Sequence, residues 1–343
     1  MKVKLRGPGS RKFCGENFYH GHARGLCYRE SRRALVNQEN RQEDTLVRGT
    51  AADGMVRCMA AVTTNLVAEA RRRHETSPTV AAALGRTLTG TLLLGASLKE
   101  LDRLTVQING DGPIGGITSE ANALGQVRGY VRNPHADAEL NAQGKLDVRG
   151  VVGQGMFYVM RESGYDIGLY REPYRGSVPL ISGEIAEDFA YYLMKSEQIP
   201  SAVMLGVLLQ ARETGEAFVA AAGGLMIQMM PGADEKIVAE IESSVSRTPQ
   251  TTTLIREGAG PIELLRAALG PLEFEMLDER PVSFACTCSY ERFASILASI
   301  DRAELEAMLR EDRGAVMTCH FCNETYQIDE AGLESIVKGE MVS

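Results

Sequence analysis

The chain has 343 residues, 44% of them hydrophobic and 24% charged, with a formal net charge of −8. Such values fit a soluble globular protein with one large domain and one or two small ones. They argue against a bulk nucleic-acid binder, and no apolar run approaches the ~20 residues of a membrane span. The start, Met1 to Lys12, is basic but no apolar segment follows, so no secretory signal is read and a cytoplasmic location is expected.

Residues 1–44 hold ten Lys/Arg against five Asp/Glu and show no sustained periodicity. They are read as a disordered extension rather than a basic arm for a partner or a membrane surface. Patterning begins at Thr45. Leu46 to Ala51 and Met55 to Val62 flank Asp53-Gly54, a hairpin turn signal. A helix is predicted over Asn65 to His74. Ser77-Pro78 caps a second running to about Leu98, built of Ala, Leu, Gly and Thr and therefore buried. Strand patterns follow at 103–109, 114–120 and 126–132, then at 155–161 and 166–171 around Ser163-Gly164. A helix from about Gly183 to Ser196 precedes strands at 202–210 and 217–229, which flank Thr214-Gly215. Hairpins with grouped helices indicate an α+β fold with an antiparallel-sheet core domain over 45–231.

After Pro231 the texture changes. Asp234 to Arg247 and Pro261 to Leu269 read as amphipathic helices, with Ile237, Ile241 and Val245 on one face of the first. Between them lies Thr248–Gly260, polar and holding Pro and Gly. Residues 232–280 have too few apolar positions for a core of their own, so they are predicted to be a helical linker packed on something else.

The remainder, 281–343, carries four of the seven cysteines. Cys286-Thr-Cys288 and Cys319-His-Phe-Cys322 bracket a helical pattern whose apolar face is Ile296, Leu297, Ile300, Leu305 and Leu309. Two tight pairs in a reducing compartment point to metal rather than structural disulfides, and four soft sulfur donors suit one Zn²⁺ per chain. His320 is expected to be an exposed spacer, since four sulfurs close the shell. This segment holds eleven Asp/Glu against five Lys/Arg, so it repels phosphate, and the site is read as structural or regulatory. Metal-held cysteine is thiolate, and either close pair can form a local disulfide once oxidised. Structural zinc in small peptides supplies about 10–16 kcal/mol of folding energy. A module of this size has little other core, so losing the metal should unfold it locally.

These residues resemble the redox-regulated 33-kilodalton heat-shock chaperonins of bacteria. The likeness is carried by Phe284-Ala-Cys-Thr-Cys-Ser289 and Cys319-His-Phe-Cys-Asn-Glu-Thr-Tyr326. Upstream it extends to Thr64–Ala70, Gly112–Gly115, Gly125–Val131, Gly183–Asp188, Ser196–Ala202 and Ala222–Gly224, so that it runs from about Leu46 to near Ile336. The resemblance implies a non-enzymatic holdase, inactive while reduced and zinc-bound. On oxidation by hypochlorite, or by peroxide with heat, Cys286 pairs with Cys288 and Cys319 with Cys322, and zinc is released. The linker then loses its fold and apolar surface opens for unfolding client proteins. It further implies a homodimer when oxidised and transfer of clients to ATP-dependent foldases.

Other motifs are weaker. Gly110-Asp-Gly-Pro-Ile-Gly115 matches G-x-G-x-x-G, but Pro113 and a following strand stand where a phosphate-binding helix should begin. His74 and His135 have no evident partner and read as surface residues. Cys58 reads as a small buried hydrophobe. The spacing of Cys14, Cys27, His20 and His22 is too irregular for a second metal site. Two rival functions remain: a thiol–disulfide oxidoreductase using Cys319 and Cys322, and a zinc nucleic-acid module. The first wants its C-x-x-C at a helix start and the second wants basic charge; neither is seen here.

Overall fold

A computed structural model describes residues 2–3, 43–99, 101–163 and 173–339. The chain forms two compact units. Of the described residues, 2–3, 289–318 and 325–339 belong to the smaller, and those between 43 and 288 together with 319–324 belong to the larger. In chain order the first element is the short strand β1 (Lys2–Val3), which belongs to the smaller unit.

The larger unit is α+β. Strands β2 (Thr45–Ala51) and β3 (Val56–Val62) form the expected hairpin, with Asp53 and Gly54 in the left-handed region at φ 53° and 83°. Helix α1 (Thr64–His74) follows, its first amides held by Asp44, which accepts from Asn65 N and Leu66 N at 3.1 and 2.7 Å. Helix α2 (Pro78–Gly95) is capped by the Ser77 hydroxyl, which accepts from Val80 N. Almost every residue of α2 is buried. Its threonines satisfy their hydroxyls within the helix: Thr87, Thr89 and Thr91 donate to the carbonyls four residues back at 2.7–2.9 Å.

Strands β4 (Arg103–Gly110), β5 (Ile117–Asn122) and β6 (Gln126–Val131) form an antiparallel meander. After the short helix α3 (Val148–Val152) come β7 (Gly155–Glu162) and β8 (Tyr174–Pro179). The strand expected at 166–171 lies outside the described residues. Helix α4 (Ala186–Lys195) leads to β9 (Ser201–Ala211) and β10 (Ala217–Met229). With two later strands, β11 (Phe274–Pro281) and β12 (Ser283–Phe284), these strands make a five-stranded sheet, β11-β2-β3-β10-β9, and a six-stranded sheet, β12-β6-β5-β4-β7-β8. One buried cluster joins α2 to both sheets: Leu84, Leu88 and Leu92 share it with Leu104, Ile108 and Phe157 of the six-stranded sheet and with Met59 and Met226 of the five-stranded one.

Helices α5 (Glu235–Arg247), α6 (Thr251–Arg256) and α7 (Pro261–Leu269) close a second core on the five-stranded sheet. Here Ile241, Ile255, Leu264, Leu265 and Leu269 pack with Val47, Cys58, Val62, Leu225 and Ile227. Two differences from the sequence reading fall in this region. A third helix, α6, stands within the polar stretch Thr248–Gly260 between the two that were read, with Thr251 and Thr252 buried. Residues 274–281 form β11 (Phe274–Pro281), antiparallel to β2, so the stretch after α7 is woven into the sheet. Strand β12 (Ser283–Phe284) then runs parallel to β6.

The smaller unit contains α8 (Tyr290–Ala298), α9 (Arg302–Glu311), β13 (Ala315–Thr318), β14 (Thr325–Ile328) and α10 (Glu330–Lys338). Phe293, Leu297, Leu305, Met317, Ile328 and Leu333 form its core. Ile296, read as part of the apolar face, is instead 39% exposed: one turn of α8 cannot bury both 296 and 297 on a core this small. No helix among the described residues is long and apolar enough to cross a membrane.

Candidate metal centre

The two cysteine pairs reach one point from chain segments more than thirty residues apart, and both belong to the larger unit. The C-x-C arm is delivered by main-chain pairing. Val282 N donates to Asp44 O, Ser283 N to Gly125 O and Ala285 N to Val127 O, each at 3.0–3.1 Å. Arg280 fixes the approach by donating to the Ala123 carbonyl and the Asp278 carboxylate. Cys286 therefore leaves the rim of the six-stranded sheet in a defined direction.

The C-x-x-C knuckle closes on itself. Asn323 N donates to Cys319 O at 2.8 Å and Cys319 N to Glu324 O at 2.9 Å, with Asn323 in the left-handed region at φ 58°. The C-terminal end of α1 holds its main chain: His74 Nε2 donates to Phe321 O at 3.1 Å, and Arg73 Nη1 to Cys322 O at 3.5 Å. Asn323 Nδ2 returns a bond to Arg73 O at 2.8 Å. Strand β6 contributes Tyr130, edge-on to the Phe321 ring at 5.3 Å and tilted against His320 at 5.7 Å.

The ligand atoms of Cys286, Cys288, Cys319 and Cys322 all lie within 4.8 Å of one another. Close approaches run across the pairs, Cys286 to Cys319 at 3.7 Å and Cys288 to Cys322 at 3.3 Å. A tetrahedron with metal–sulfur bonds of ~2.3 Å has sulfur–sulfur edges of about 3.8 Å. Four sulfurs so grouped fit a metal ion, and the donor set is entirely soft. The electrostatics agree. The hydrogen bond from Cys319 holds the Cys286 thiol well below its usual range, helped by the Cys288 amide and Arg128. The same bond pushes the Cys319 thiol up, as burial does for Cys322. A divalent cation would let all four sulfurs be thiolates.

Sequence reasoning found the four cysteines but misjudged their surroundings. His74 is not a surface residue: it is buried against the knuckle, and burial pushes its pKa down, so it donates to Phe321 O as a neutral ring. His320 is half-buried rather than exposed. Cys58 is fully buried in β3, with its thiol pushed up to about 12 by burial. His135 is exposed. Cys14, Cys27, His20 and His22 lie outside the described residues. The G-x-G-x-x-G match is a turn: a Cβ on Gly110 would meet Val152 O at 1.9 Å, and β5 follows it. Cys319 and Cys322 sit in the turn after β13 and not at a helix start, which removes the geometry an oxidoreductase would use to activate its thiol.

Known proteins resemble this chain along most of its length. The sequence model of the family described as Hsp33 protein matches residues 44–329. A 33 kDa chaperonin of Listeria monocytogenes serotype 4a (strain HCC23) is 48% identical over 296 residues, 85% of this chain and 98% of the relative. One of Enterococcus faecalis (strain ATCC 700802 / V583) is 47% identical over 292 residues, 85% of this chain and 95% of the relative. The crystal structure of a 33 kDa chaperonin from Thermotoga maritima superposes with a TM-score of 0.78 at 35% identity, covering 87% of this chain and 99% of that one.

Proposed function

The chain belongs to the Hsp33 family, and we propose that it is a redox-regulated cytoplasmic holdase rather than an enzyme. The observation that carries the reading is the convergence of Cys286, Cys288, Cys319 and Cys322 within 4.8 Å. In the reduced protein these residues would hold one Zn²⁺, which supplies the charge that keeps four thiolates together and cross-links the C-x-C arm to the knuckle. An oxidant such as hydrogen peroxide would take two electrons from each neighbouring pair of thiolates and two protons from the surrounding water, its O–O bond breaking to leave two water molecules. One S–S bond forms between Cys286 and Cys288 and one between Cys319 and Cys322. Disulfide sulfur is a poor donor, so the oxidised residues no longer offer a metal shell.

The loss is felt next door. The C-x-C arm continues directly from β11 and α7, and α5, α6 and α7 cover an apolar sheet face with little internal core of their own. We assign residues 45–231 to the core domain, 232–280 to a metastable linker and 281–343 to the zinc-binding switch. With its C-terminal tether loosened, the linker lifts and exposes Val47, Val62, Leu225 and Ile227 with its own apolar sides to unfolding client proteins. The oxidised protein is a homodimer and passes its clients to ATP-dependent foldases.

The test is aggregation of a heat-denatured protein, followed before and after oxidation with zinc release measured in the same sample. Suppression that appears together with zinc release supports the switch; suppression unchanged by oxidation rejects it. Peptide mapping of the oxidised protein assigns the disulfides, and Cys286–Cys319 with Cys288–Cys322 would overturn the neighbour pairing.

A further inference from the structure

Arg128 stands on β6 directly across from Glu120 of β5, and its side chain is only 13% exposed. Its guanidinium touches three groups at once. Nη2 donates to Glu120 Oε1 at 2.8 Å, and Nη1 reaches Cys286 Sγ at 3.4 Å and Thr287 Oγ1 at 3.2 Å. The plane lies over the Phe321 ring, 4.2 Å from its centroid. One core side chain thus contacts the C-x-C arm through a sulfur and the C-x-x-C knuckle through an aromatic face. Glu120 fixes it by a cross-strand ion pair, and Tyr130, two residues on and on the same face of β6, touches the same Phe321.

We infer that Arg128 is a positioning residue through which the core sheet holds, and responds to, the state of the cysteine site. The inference rests on the switch proposed above and adds its core-side contact. A guanidinium is always charged and donates best to an anionic acceptor. While Cys286 is a thiolate, Arg128 binds it with charge assistance and keeps the arm and the knuckle in register, so that four sulfurs converge. A Cys286–Cys288 disulfide carries no charge on Sγ, and this bond is then lost. Arg128 keeps Glu120, the Thr287 hydroxyl and the ring face, and the arm loses its charge-assisted attachment to β6 at the same moment as it leaves the metal shell. Partners of this kind, outside the ligand set, commonly change metal affinity by about 10–100-fold.

The experiment uses the full reduced chain loaded with Co²⁺, whose sulfur-to-metal charge-transfer bands report the charge on the thiolates. Arg128→Gln, Arg128→Lys and Arg103→Gln are compared with the parent protein. Arg103 also approaches the Glu120 carboxylate, at 3.6 Å, but is half exposed, and its guanidinium has no hydrogen bond to a cysteine, so it controls for disturbing that carboxylate. Arg128→Gln should shift the charge-transfer bands to lower energy and lower affinity in chelator competition by about 10–100-fold. Arg128→Lys should restore part of both, and Arg103→Gln should change neither. Bands and affinity unchanged in Arg128→Gln would overturn the inference while leaving the metal site standing. The same losses in Arg103→Gln would reduce Arg128 to a part of the sheet. A parent protein that binds no Co²⁺ or Zn²⁺ would take down the switch and this inference together.

Discussion

Placing a side chain at Gly206 should make the protein a holdase without oxidation. Gly206 lies on β9 opposite Gly223 of β10, beneath α6. A Cβ there would stand 2.7 Å from Thr251 Oγ1 and 2.7 Å from Thr252 Cγ2, far inside the ~3.5–4.0 Å of comfortable contact. Gly206→Val forces α6 away from the sheet, whereas valine itself suits a strand, so the strain falls on the cover and not on β9. Overpacking of this kind costs about 1–3 kcal/mol. With tenfold per 1.4 kcal/mol, the population with α6 lifted should rise roughly 5- to 150-fold. Lifting α6 uncovers Ile255 and the sheet face beneath it. The assay is aggregation suppression by the reduced, metal-loaded variant, paired with hydrogen exchange of residues 251–256. Faster exchange with measurable suppression is the expected result. Faster exchange with no suppression would refute the claim that this covered face receives clients, and unchanged exchange would refute the packing argument itself.

Serine at Cys286, Cys288, Cys319 or Cys322 should each lower zinc retention in a chelator challenge, whereas Cys58→Ser should leave it unchanged; equal loss in all five would contradict the donor set. Burial pushes the Cys58 thiol up to about 12, so at pH 8 it is protonated in the folded protein and should resist alkylation until denaturant is added. Labelling of Cys58 in the native protein as fast as in the denatured one would contradict its burial. Leu265→Ala removes a fully buried contact between α7 and the five-stranded sheet and should weaken the cover by about 2–5 kcal/mol. Its oxidant threshold for activity should fall below that of the parent protein, as followed by titration with peroxide. His74→Phe keeps the ring but deletes the donor to Phe321 O, and should speed exchange of the knuckle amides 319–324.

The clustering of the four cysteines was legible because cysteine spacing encodes a candidate site directly: two tight pairs of thiols flanking a short helical insert are what a four-sulfur metal shell would require. The hairpins and α2 were legible for a related reason, since alternation, turn glycines and a Ser-Pro start are local signals. What escaped is held by distant partners. Helix α6 opens with Thr251-Thr252-Thr253 between Pro249 and Gly258, a polar stretch of weak helix formers with no helical signal of its own; its buried threonines and Ile255 pack on the sheet. A lone histidine usually lies on the surface, so His74 reads that way, and Arg128 gives no signal of its own on a strand of alternating character. Their partners lie 247 and 158 residues away, at Phe321 and Cys286. Ile296 fits the helical period as well as Leu297 does, and only the size of the core separates them.

The account depends on the cysteine-held metal keeping a neighbouring cover seated. Hydrogen exchange over residues 235–269 of the full reduced chain, with the metal present and after its removal by a chelator under reductant, measures that coupling without any disulfide chemistry. The account predicts that helices α5, α6 and α7 lose protection when the metal is removed, while β3 and β10 keep theirs. Protection of those helices that is the same with and without metal would contradict it.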